Sequence, residues 1–139
     1  MKKYLLDTNI IVFLFKKRFE MNEKIKKVGI ENCAISEVSV AELHFGVECS
    51  PIDVIEEKRI RLNSFLEHIQ IISFSTAIQL YAKEKARLTK LGETIPDFDI
   101  LIGSTAVAND FVLVTNNSKH LSRIQNIEIE DWTKSYPLV

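Results

Sequence analysis

Three acidic residues stand where the surrounding sequence predicts buried structure, and their chemistry suggests a bound cation. Asp7 follows the apolar run Tyr4–Leu6, and Asp99 stands at the head of the apolar run 100–108. Glu42 shares the apolar side of a predicted helix. A buried carboxylate is costly unless it is paired or bound to a metal. Three converging acids would therefore predict a site for a divalent cation.

Each acid taken alone also has an ordinary structural explanation. Asp7 and Asp99 are good helix N-caps, and Glu42 would be a half-exposed acid at the edge of its apolar stripe. The interpretation as a metal site depends on all three reaching one edge of a sheet. Because the ligands would be oxygens, with no paired His or Cys, the expected ion is Mg²⁺ or Mn²⁺ rather than Zn²⁺.

Strands alternate with helices along the chain, which predicts an α/β fold with a mainly parallel sheet. Apolar runs predict strands at residues 4–6, 33–35, 70–74, 111–115 and, at an edge, 127–130. Helical spacing predicts helices at residues 10–15, 21–28, 38–49, 52–68, 76–91 and 100–108. We expect one domain, residues 1–139, with Asp7 at the carboxyl end of the first strand, where open α/β sheets bind ligands.

Local signals predict where several of these helices begin and end. Ser50 and Pro51 have the residue types of an N-cap and first helical position. Thr76 and Gln79 have the spacing of a capping box. Gly92 is expected to end the helix at 76–91. Asp97 is expected to cap the next helix, which carries Asp99.

Apolar spacing predicts which faces of the helices are buried. Val38, Ala41 and Phe45 recur at helical spacing and predict the inward face of the helix that carries Glu42. The helices at 52–68 and 76–91 have more apolar positions than one sheet face needs, which favours a partner protein. The alternative is a monomer in which both helices pack wholly on their own sheet.

Composition limits the class of protein. The chain has 139 residues, is 46% hydrophobic, and has a net charge of −1, so it has no overall basic footprint for nucleic acid. No apolar stretch approaches the roughly 20 residues of a membrane span, and no signal peptide is recognisable. Cys33 and Cys49 form no metal or disulfide pattern, so we expect a cytoplasmic protein with both thiols buried.

Four segments, taken in order, resemble the PIN-domain ribonucleases and, more narrowly, the VapC toxins of bacterial toxin–antitoxin pairs. They are Leu-Leu-Asp-Thr-Asn at 5–9, Val-Ala-Glu-Leu at 40–43, Ile-Pro-Asp-Phe-Asp-Ile-Leu-Ile at 95–102 and Leu-Val-Thr-Asn-Asn at 113–117. The resemblance implies a PIN-like fold, which is a mainly parallel sheet of four or five strands with helices on both faces. It also implies Mg²⁺ as cofactor, for which Mn²⁺ may substitute.

Residue by residue, the resemblance implies the composition of the site. The acids that bind metal and serve in catalysis would be Asp7, Glu42 and Asp99. Thr115 and Asn117 fall on supporting polar positions. Many family members have a fourth acid at the position of Asn117 or near His120, and this chain has none there. His120 is therefore either a ligand of phosphate or metal, or a surface histidine.

The resemblance implies a function and partners. The function would be that of an endoribonuclease toxin that cleaves structured RNA, at single-stranded or looped segments, through a metal-activated water. Lys16, Lys17 and Lys119 would hold the RNA backbone. The implied protein partners are a second copy of the chain and a cognate VapB-type antitoxin, whose carboxyl-terminal tail would place a basic side chain against the acids.

Two other functions are compatible with parts of the pattern. An aspartyl phosphotransferase also keeps its nucleophile after the first strand, but it usually has a second acid two residues later, where this chain has Asn9. A catalytically decayed PIN-like module that binds RNA or protein would explain the missing fourth acid. Retention of Asp7, Glu42 and Asp99 argues against decay, because unpaired buried acids are costly.

Overall fold

A parallel five-stranded sheet forms the centre of the fold in the computed structural model, which describes residues 1–138. Its strands are β1 (Tyr4–Leu6), β2 (Cys33–Ser36), β3 (Gln70–Ile72), β4 (Val112–Val114) and β5 (Ile129–Glu130). Their order is β3-β2-β1-β4-β5, and every neighbouring pair is parallel. All three residues of β1 are buried, as expected for a central parallel strand covered on both faces. The predicted parallel sheet is confirmed.

Seven α-helices within residues 1–138 cover the sheet. They are α1 (Thr8–Phe15), α2 (Met21–Val28), α3 (Glu37–Glu48), α4 (Ile55–Leu66), α5 (Ile78–Leu91), α6 (Asp97–Ala108) and α7 (Ser118–Leu121). Tyr4 and Leu6 of β1 pack with residues of α1, α2 and α4 on one face, whereas Leu5 packs with residues of α5 and α6 on the other. No helix in this part of the chain is long and apolar enough to cross a membrane.

Glycine ends two helices where the sequence predicts. Gly29 follows α2 with a φ of 89°, and Gly92 follows α5 with a φ of 70°. Glycine adopts this left-handed backbone without the steric cost of a Cβ atom, so both helices end there. These signals depend only on residues within one helical turn, so the sequence alone was sufficient to predict both helix ends.

The predicted start of the fourth helix is wrong. Ser50 does not cap it, because its hydroxyl donates instead to the carbonyl of Gly46 in α3. The backbone N–H groups of Val54 and Ile55 bond to the Pro51 carbonyl in a separate turn, and α4 begins only at Ile55. Helical structure before Ile55 would have no core to pack on, since Ile52, in that turn, is 92% exposed.

The predicted capping box at Thr76 and Gln79 is also wrong. Residues Ser75–Ala77 form a 3₁₀ turn, and α5 begins at Ile78 with no side-chain cap. A carboxylate oxygen of Glu37 in α3 accepts hydrogen bonds from the Ser73 hydroxyl and the Phe74 backbone N–H, both at 3.0 Å. A contact 36 residues away along the chain thus holds this junction.

The predicted inward face of α3 is wrong at two of its three positions. Val38 is buried, but Ala41 is exposed and Phe45 is 72% exposed. The buried side of α3 instead carries Ser39 and Leu43. In this orientation of α3, Ser39 and Glu42 both contact the Thr8 hydroxyl of α1.

The prediction that both thiols are buried holds for one of the two cysteines. Cys33 is buried in β2, and burial raises the pKa of its thiol to about 12. Cys49 is exposed at the end of α3, where the chain turns towards α4, so the prediction was wrong there.

Candidate active site

Asp7 lies at the junction of β1 and α1, where it is fixed by hydrogen bonds to both of its oxygens. Its backbone N–H donates to the carbonyl of Val114, which places the residue beside the end of β4. One oxygen accepts from the Thr8 N–H at 2.8 Å, and the other accepts from the Thr115 hydroxyl at 2.8 Å and the Asn9 amide at 3.4 Å. Asp7 therefore caps α1 and also belongs to the site.

Glu42 reaches the same edge of the sheet from α3. The Thr8 hydroxyl donates to Oε1 of Glu42 at 2.6 Å, and it lies 2.9 Å from the Ser39 hydroxyl. The residue is half-buried rather than enclosed. Thr8 thus contacts Asp7 through its backbone and Glu42 through its side chain, and it connects the two acids.

Asp99 lies in the first turn of α6, and its neighbour Asp97 has a different role from the one predicted. Pro96, not Asp97, occupies the N-cap position of α6. The Asp97 carboxylate pairs with Lys85 at 2.8 Å and accepts from the Tyr81 hydroxyl at 3.1 Å. Asp97 is tied to α5 in this way, whereas Asp99 faces the pocket that contains the other two acids.

A pocket of about 320 Å³ brings the three predicted acids together. It is lined by Asp7, Thr8, Asn9, Val12, Glu42, Asp99 and Asn117. Of the predicted supporting residues, Asn117 lines the pocket, and Thr115 is buried behind it and donates to Asp7. The Asn117 backbone N–H in turn donates to the Thr115 hydroxyl at 3.0 Å.

His120 lies at the side of the pocket rather than in its lining. It is half-exposed on the short helix α7, near enough to Asp99 that a charged imidazole would oppose the burial that raises the pKa of Asp99. The imidazole is therefore near Asp99, but no hydrogen bond within residues 1–138 joins the two side chains. This position is compatible with a contact to a bound phosphate.

The electrostatics of the pocket favour proton or cation binding. Burial raises the pKa of Asp7 from 3.8 to about 6, against the opposing effect of hydrogen bonds from Thr115 and Thr8. Burial, and then the charge of Glu42, raise the pKa of Asp99. No Lys or Arg among residues 1–138 forms an ion pair with any of the three acids. The negative charge of the pocket is therefore not balanced by the chain.

The donor set suits a hard divalent cation. The three acids offer oxygen atoms, and Oδ1 of Asn9 is buried without a hydrogen-bond partner in the described part of the chain. Among residues 1–138, no three His, Cys, Asp or Glu side chains are grouped closely enough to hold a metal ion by themselves. Mg²⁺ does not require such a group, because it is usually bound through one or two carboxylates and keeps several waters.

Comparison with known proteins identifies the family. A family model described as PIN domain matches residues 4–127 of this chain. The chain belongs to the PIN-domain family. This PIN domain is 37% identical over 134 residues to the Rickettsia felis protein named Ribonuclease VapC2, and the match covers 94% of this chain and 98% of that protein. The predicted resemblance to VapC proteins is thereby confirmed.

A second relative has a more specific name. This PIN domain is 28% identical over 134 residues to the protein named tRNA(fMet)-specific endonuclease VapC from Salmonella typhimurium, and the match covers 95% of this chain and 99% of that protein. The two relatives align over nearly their full lengths, so the family resemblance extends well beyond the acidic segments.

Two solved structures share the fold of this PIN domain. The structure of VapBC2 from Rickettsia felis bound to a DNA fragment from its promoter has a TM-score of 0.84 and 34% identity, covering 93% of this chain and 98% of that one. The structure of DNA-bound VapBC from Salmonella typhimurium has a TM-score of 0.85 and 28% identity, and the match covers 95% of this chain and 99% of that one. Both support the predicted PIN-like fold.

Sequence reasoning assigned no role to three polar residues that the structure places in the site. Thr8 and Asn9 follow Asp7 directly, and their suitability for a helix start concealed their second role. Ser39 lies one helical turn before Glu42, so the two side chains share a face of α3. That spacing was the available signal for Ser39. Its role could not be recognised from the sequence, because it depends on Thr8 of α1 lying beside both side chains.

Proposed function

We propose that this chain is a Mg²⁺-dependent endoribonuclease of the VapC type and the toxin of a toxin–antitoxin pair. The observation that carries the proposal is that Asp7, Glu42 and Asp99 line one pocket without a Lys or Arg ion pair among residues 1–138. The names of the VapC relatives, which are called ribonucleases or endonucleases, support the substrate class. Mn²⁺ is expected to substitute for Mg²⁺ because it prefers the same oxygen ligands.

The side chains have separate tasks in this proposal. Asp7, Glu42 and Asp99 hold the cation, which lowers the pKa of a water and neutralises the scissile phosphate when bound. Thr115 and the Thr8 N–H keep the Asp7 carboxylate in one orientation. Asn117, which lines the pocket, would contact the substrate, and His120 would contact a phosphate oxygen.

Structured RNA, cut at single-stranded or looped segments, is the proposed substrate. The bases and backbone of single-stranded or looped segments can be splayed into a cleft, which a regular duplex does not allow. Lys16 lines a cleft that shares Thr8 and Glu42 with the acid pocket, and Lys119 precedes His120. In this proposal these lysines hold phosphates of the RNA backbone.

Asp99→Asn is expected to abolish cleavage and weaken Mn²⁺ binding while the protein still folds. The amide presents one neutral oxygen where the cation needs charge. Asp97→Asn is the matched control, since Asp97 lies on the same turn of α6 but pairs with Lys85 outside the pocket. Cleavage of RNA with purified protein, with and without chelator, measures the first effect, and calorimetric Mn²⁺ titration measures the second.

Full activity of Asp99→Asn, or of Asp7→Asn, would contradict the assignment of the site. Wild-type protein that binds RNA but cleaves none with either Mg²⁺ or Mn²⁺ would instead favour the decayed PIN-like module. Loss of activity in Asp97→Asn as well would mean that the N-terminal turn of α6 is sensitive to any change of charge.

A VapB-type antitoxin is the proposed protein partner, and a second cleft is the proposed binding site for its carboxyl-terminal tail. The cleft has a volume of about 290 Å³ and lies between α1, α3 and α4. Five of its twelve lining residues have large apolar side chains: Val12, Phe15, Leu43, Val47 and Leu62. Thr8 and Glu42 belong to this cleft and to the acid pocket, so a peptide lying in the cleft would reach the acids.

A cognate VapB-type antitoxin is expected to abolish cleavage by placing a basic side chain, such as Arg, against the acids. Charge-assisted hydrogen bonds to the carboxylates would then compete with Mg²⁺. Cleavage assays with increasing antitoxin at several Mg²⁺ concentrations would show inhibition that weakens as Mg²⁺ rises. A complex that forms but leaves cleavage unchanged would rule out this mode of inhibition.

A further inference from the structure

We propose that Ser39 and Thr8 form a directional chain of hydroxyl groups that holds one oxygen of Glu42 and thereby sets how this acid binds the cation. Both would be positioning residues, since they act through Glu42. The inference rests on the proposed function, because it concerns the same metal site. It adds two residues, on α1 and α3, to the three acids.

The direction of the chain follows from the hydrogen-bonding capacity of each group. The Thr8 hydroxyl lies 2.6 Å from Oε1 of Glu42 and 2.9 Å from the Ser39 hydroxyl. An ionised carboxylate can only accept, and the threonine hydroxyl has a single proton to donate. The Thr8 proton therefore goes to Glu42, and the Ser39 hydroxyl donates to the Thr8 oxygen.

Burial makes this arrangement stable against exchange with water. Ser39 is fully buried, and the contact with Thr8 is the only side-chain hydrogen bond it makes within residues 1–138. The Ser39 hydroxyl bonds across to Thr8 of α1, the one side-chain partner it has among the described residues.

The consequence for Glu42 is that its two oxygens are no longer equivalent. Oε1 accepts a short hydrogen bond in the range typical of a hydroxyl bound to a charged carboxylate. Oε2 accepts none from any residue among 1–138, so it is the oxygen available to a cation. Groups that orient a metal ligand in this way commonly change metal affinity by about 10- to 100-fold when removed.

Thr8 holds Asp7 by a separate contact that a side-chain change does not remove. Its backbone N–H donates to Oδ1 of Asp7 at 2.8 Å. Thr8→Val keeps this N–H and the branched shape of the side chain, and it deletes only the hydroxyl. The substitution therefore tests the contact with Glu42 and leaves the helix cap by Asp7 in place.

Mn²⁺ affinity, measured by electron paramagnetic resonance without RNA, provides the test. We expect Thr8→Val to weaken binding about 10-fold or more and Ser39→Ala to weaken it less, while Thr8→Ser binds like the wild type. The double variant Thr8→Val/Ser39→Ala should bind no worse than Thr8→Val, because Ser39 acts only through Thr8. Thermal unfolding of each variant checks that the fold is retained.

Two control variants separate the proposal from general effects of losing a hydroxyl. Ser104→Ala removes a buried hydroxyl that has no hydrogen-bond partner among residues 1–138, and Thr89→Val removes one on the exposed side of α5. Neither residue lines the acid pocket, so both variants should bind Mn²⁺ like the wild type.

The results that would overturn the proposal are distinct. Wild-type affinity in Thr8→Val, or additive losses from Thr8→Val and Ser39→Ala, would show that no such chain acts on Glu42. Glu42→Gln serves as the reference: if its Mn²⁺ affinity were also unchanged, the metal assignment of Glu42 itself would fail. Loss of binding in Glu42→Gln but not in Thr8→Val would reject the hydroxyl chain alone.

Discussion

At the scale of single residues, the pocket holds Asp7 in surroundings that favour its protonated form. The side chain is 5% exposed, and two other acids line the same pocket. Thr115 and the Thr8 N–H offset part of this effect but do not supply a positive charge. A folded protein keeps such a group at the expense of stability, which is common where binding or catalysis needs it.

The metal-free protein is therefore expected to lose stability as pH rises from about 4 to about 6. The pKa of Asp7 is raised from 3.8 to about 6, so within this window the folded state binds more protons than the unfolded state. The full difference corresponds to roughly 3 kcal/mol and is reached above pH 6. Asp7→Asn should lack this contribution and be more stable than the wild type at pH 7.

Urea unfolding in the presence of chelator, from about pH 3 to pH 7, measures this difference between wild type and Asp7→Asn. The two proteins should converge in stability towards pH 3, below the ordinary pKa of 3.8, where the carboxyl group of Asp7 is protonated in both states. Parallel curves across the whole range would show that Asp7 is not the group responsible.

At the scale of elements, the rotation of α3 decides whether the site exists. The apolar spacing predicts a helix turned to bury Phe45. Phe45 is 72% exposed instead, and Leu43 is buried at 6% exposure. In this orientation Ser39 and Glu42 both contact the Thr8 hydroxyl of α1.

Alanine substitutions on α3 should reveal this rotation. Leu43→Ala is expected to lower the free energy of unfolding by about 2–5 kcal/mol, since it leaves a cavity in the core. Phe45→Ala should change it by no more than about 0.5 kcal/mol, although more apolar atoms are removed. Urea unfolding at submicromolar protein, where association is weak, makes the comparison. A larger effect for Phe45→Ala than for Leu43→Ala would mean that α3 is turned the other way.

At the scale of the whole molecule, large apolar side chains remain on the surface outside the acid pocket. Phe45, Ile60, Ile78, Leu91 and Phe98 are each between 49% and 72% exposed. They lie on α3, α4, α5 and α6, and two of them are on α5, one of the helices that the sequence marked as having spare apolar positions. Where such side chains lie next to one another in a contiguous patch, they favour a protein partner.

We expect a homodimer, in which a second copy covers part of this surface. Light scattering on purified protein at micromolar concentration should give the mass of two chains. Phe45→Ser should shift the mass towards one chain without unfolding the protein, because the residue contributes to the surface and not to the core. A monomer mass at every concentration would contradict the dimer and leave the antitoxin as the remaining candidate for this surface.

The sequence by itself determined the strands, several helix ends and the three acids. Tyr4–Leu6 is a buried apolar run, Gly29 and Gly92 end helices, and Asp7 follows the central strand. Each of these features depends on residues within about one helical turn, so the pattern carries the necessary information. The order of the four segments was then sufficient to identify the PIN resemblance.

Only the tertiary structure decided how those parts meet. Thr8 and Ser39 are 31 residues apart, and Glu37 and Ser73 are 36 apart, yet these contacts set the rotation of α3 and the start of α5. Asp97, two residues from Asp99, turns away from the pocket because Lys85 on α5 pairs with it. A side chain's partner depends on which helices the sheet brings together, and no local spacing in the chain contains that information.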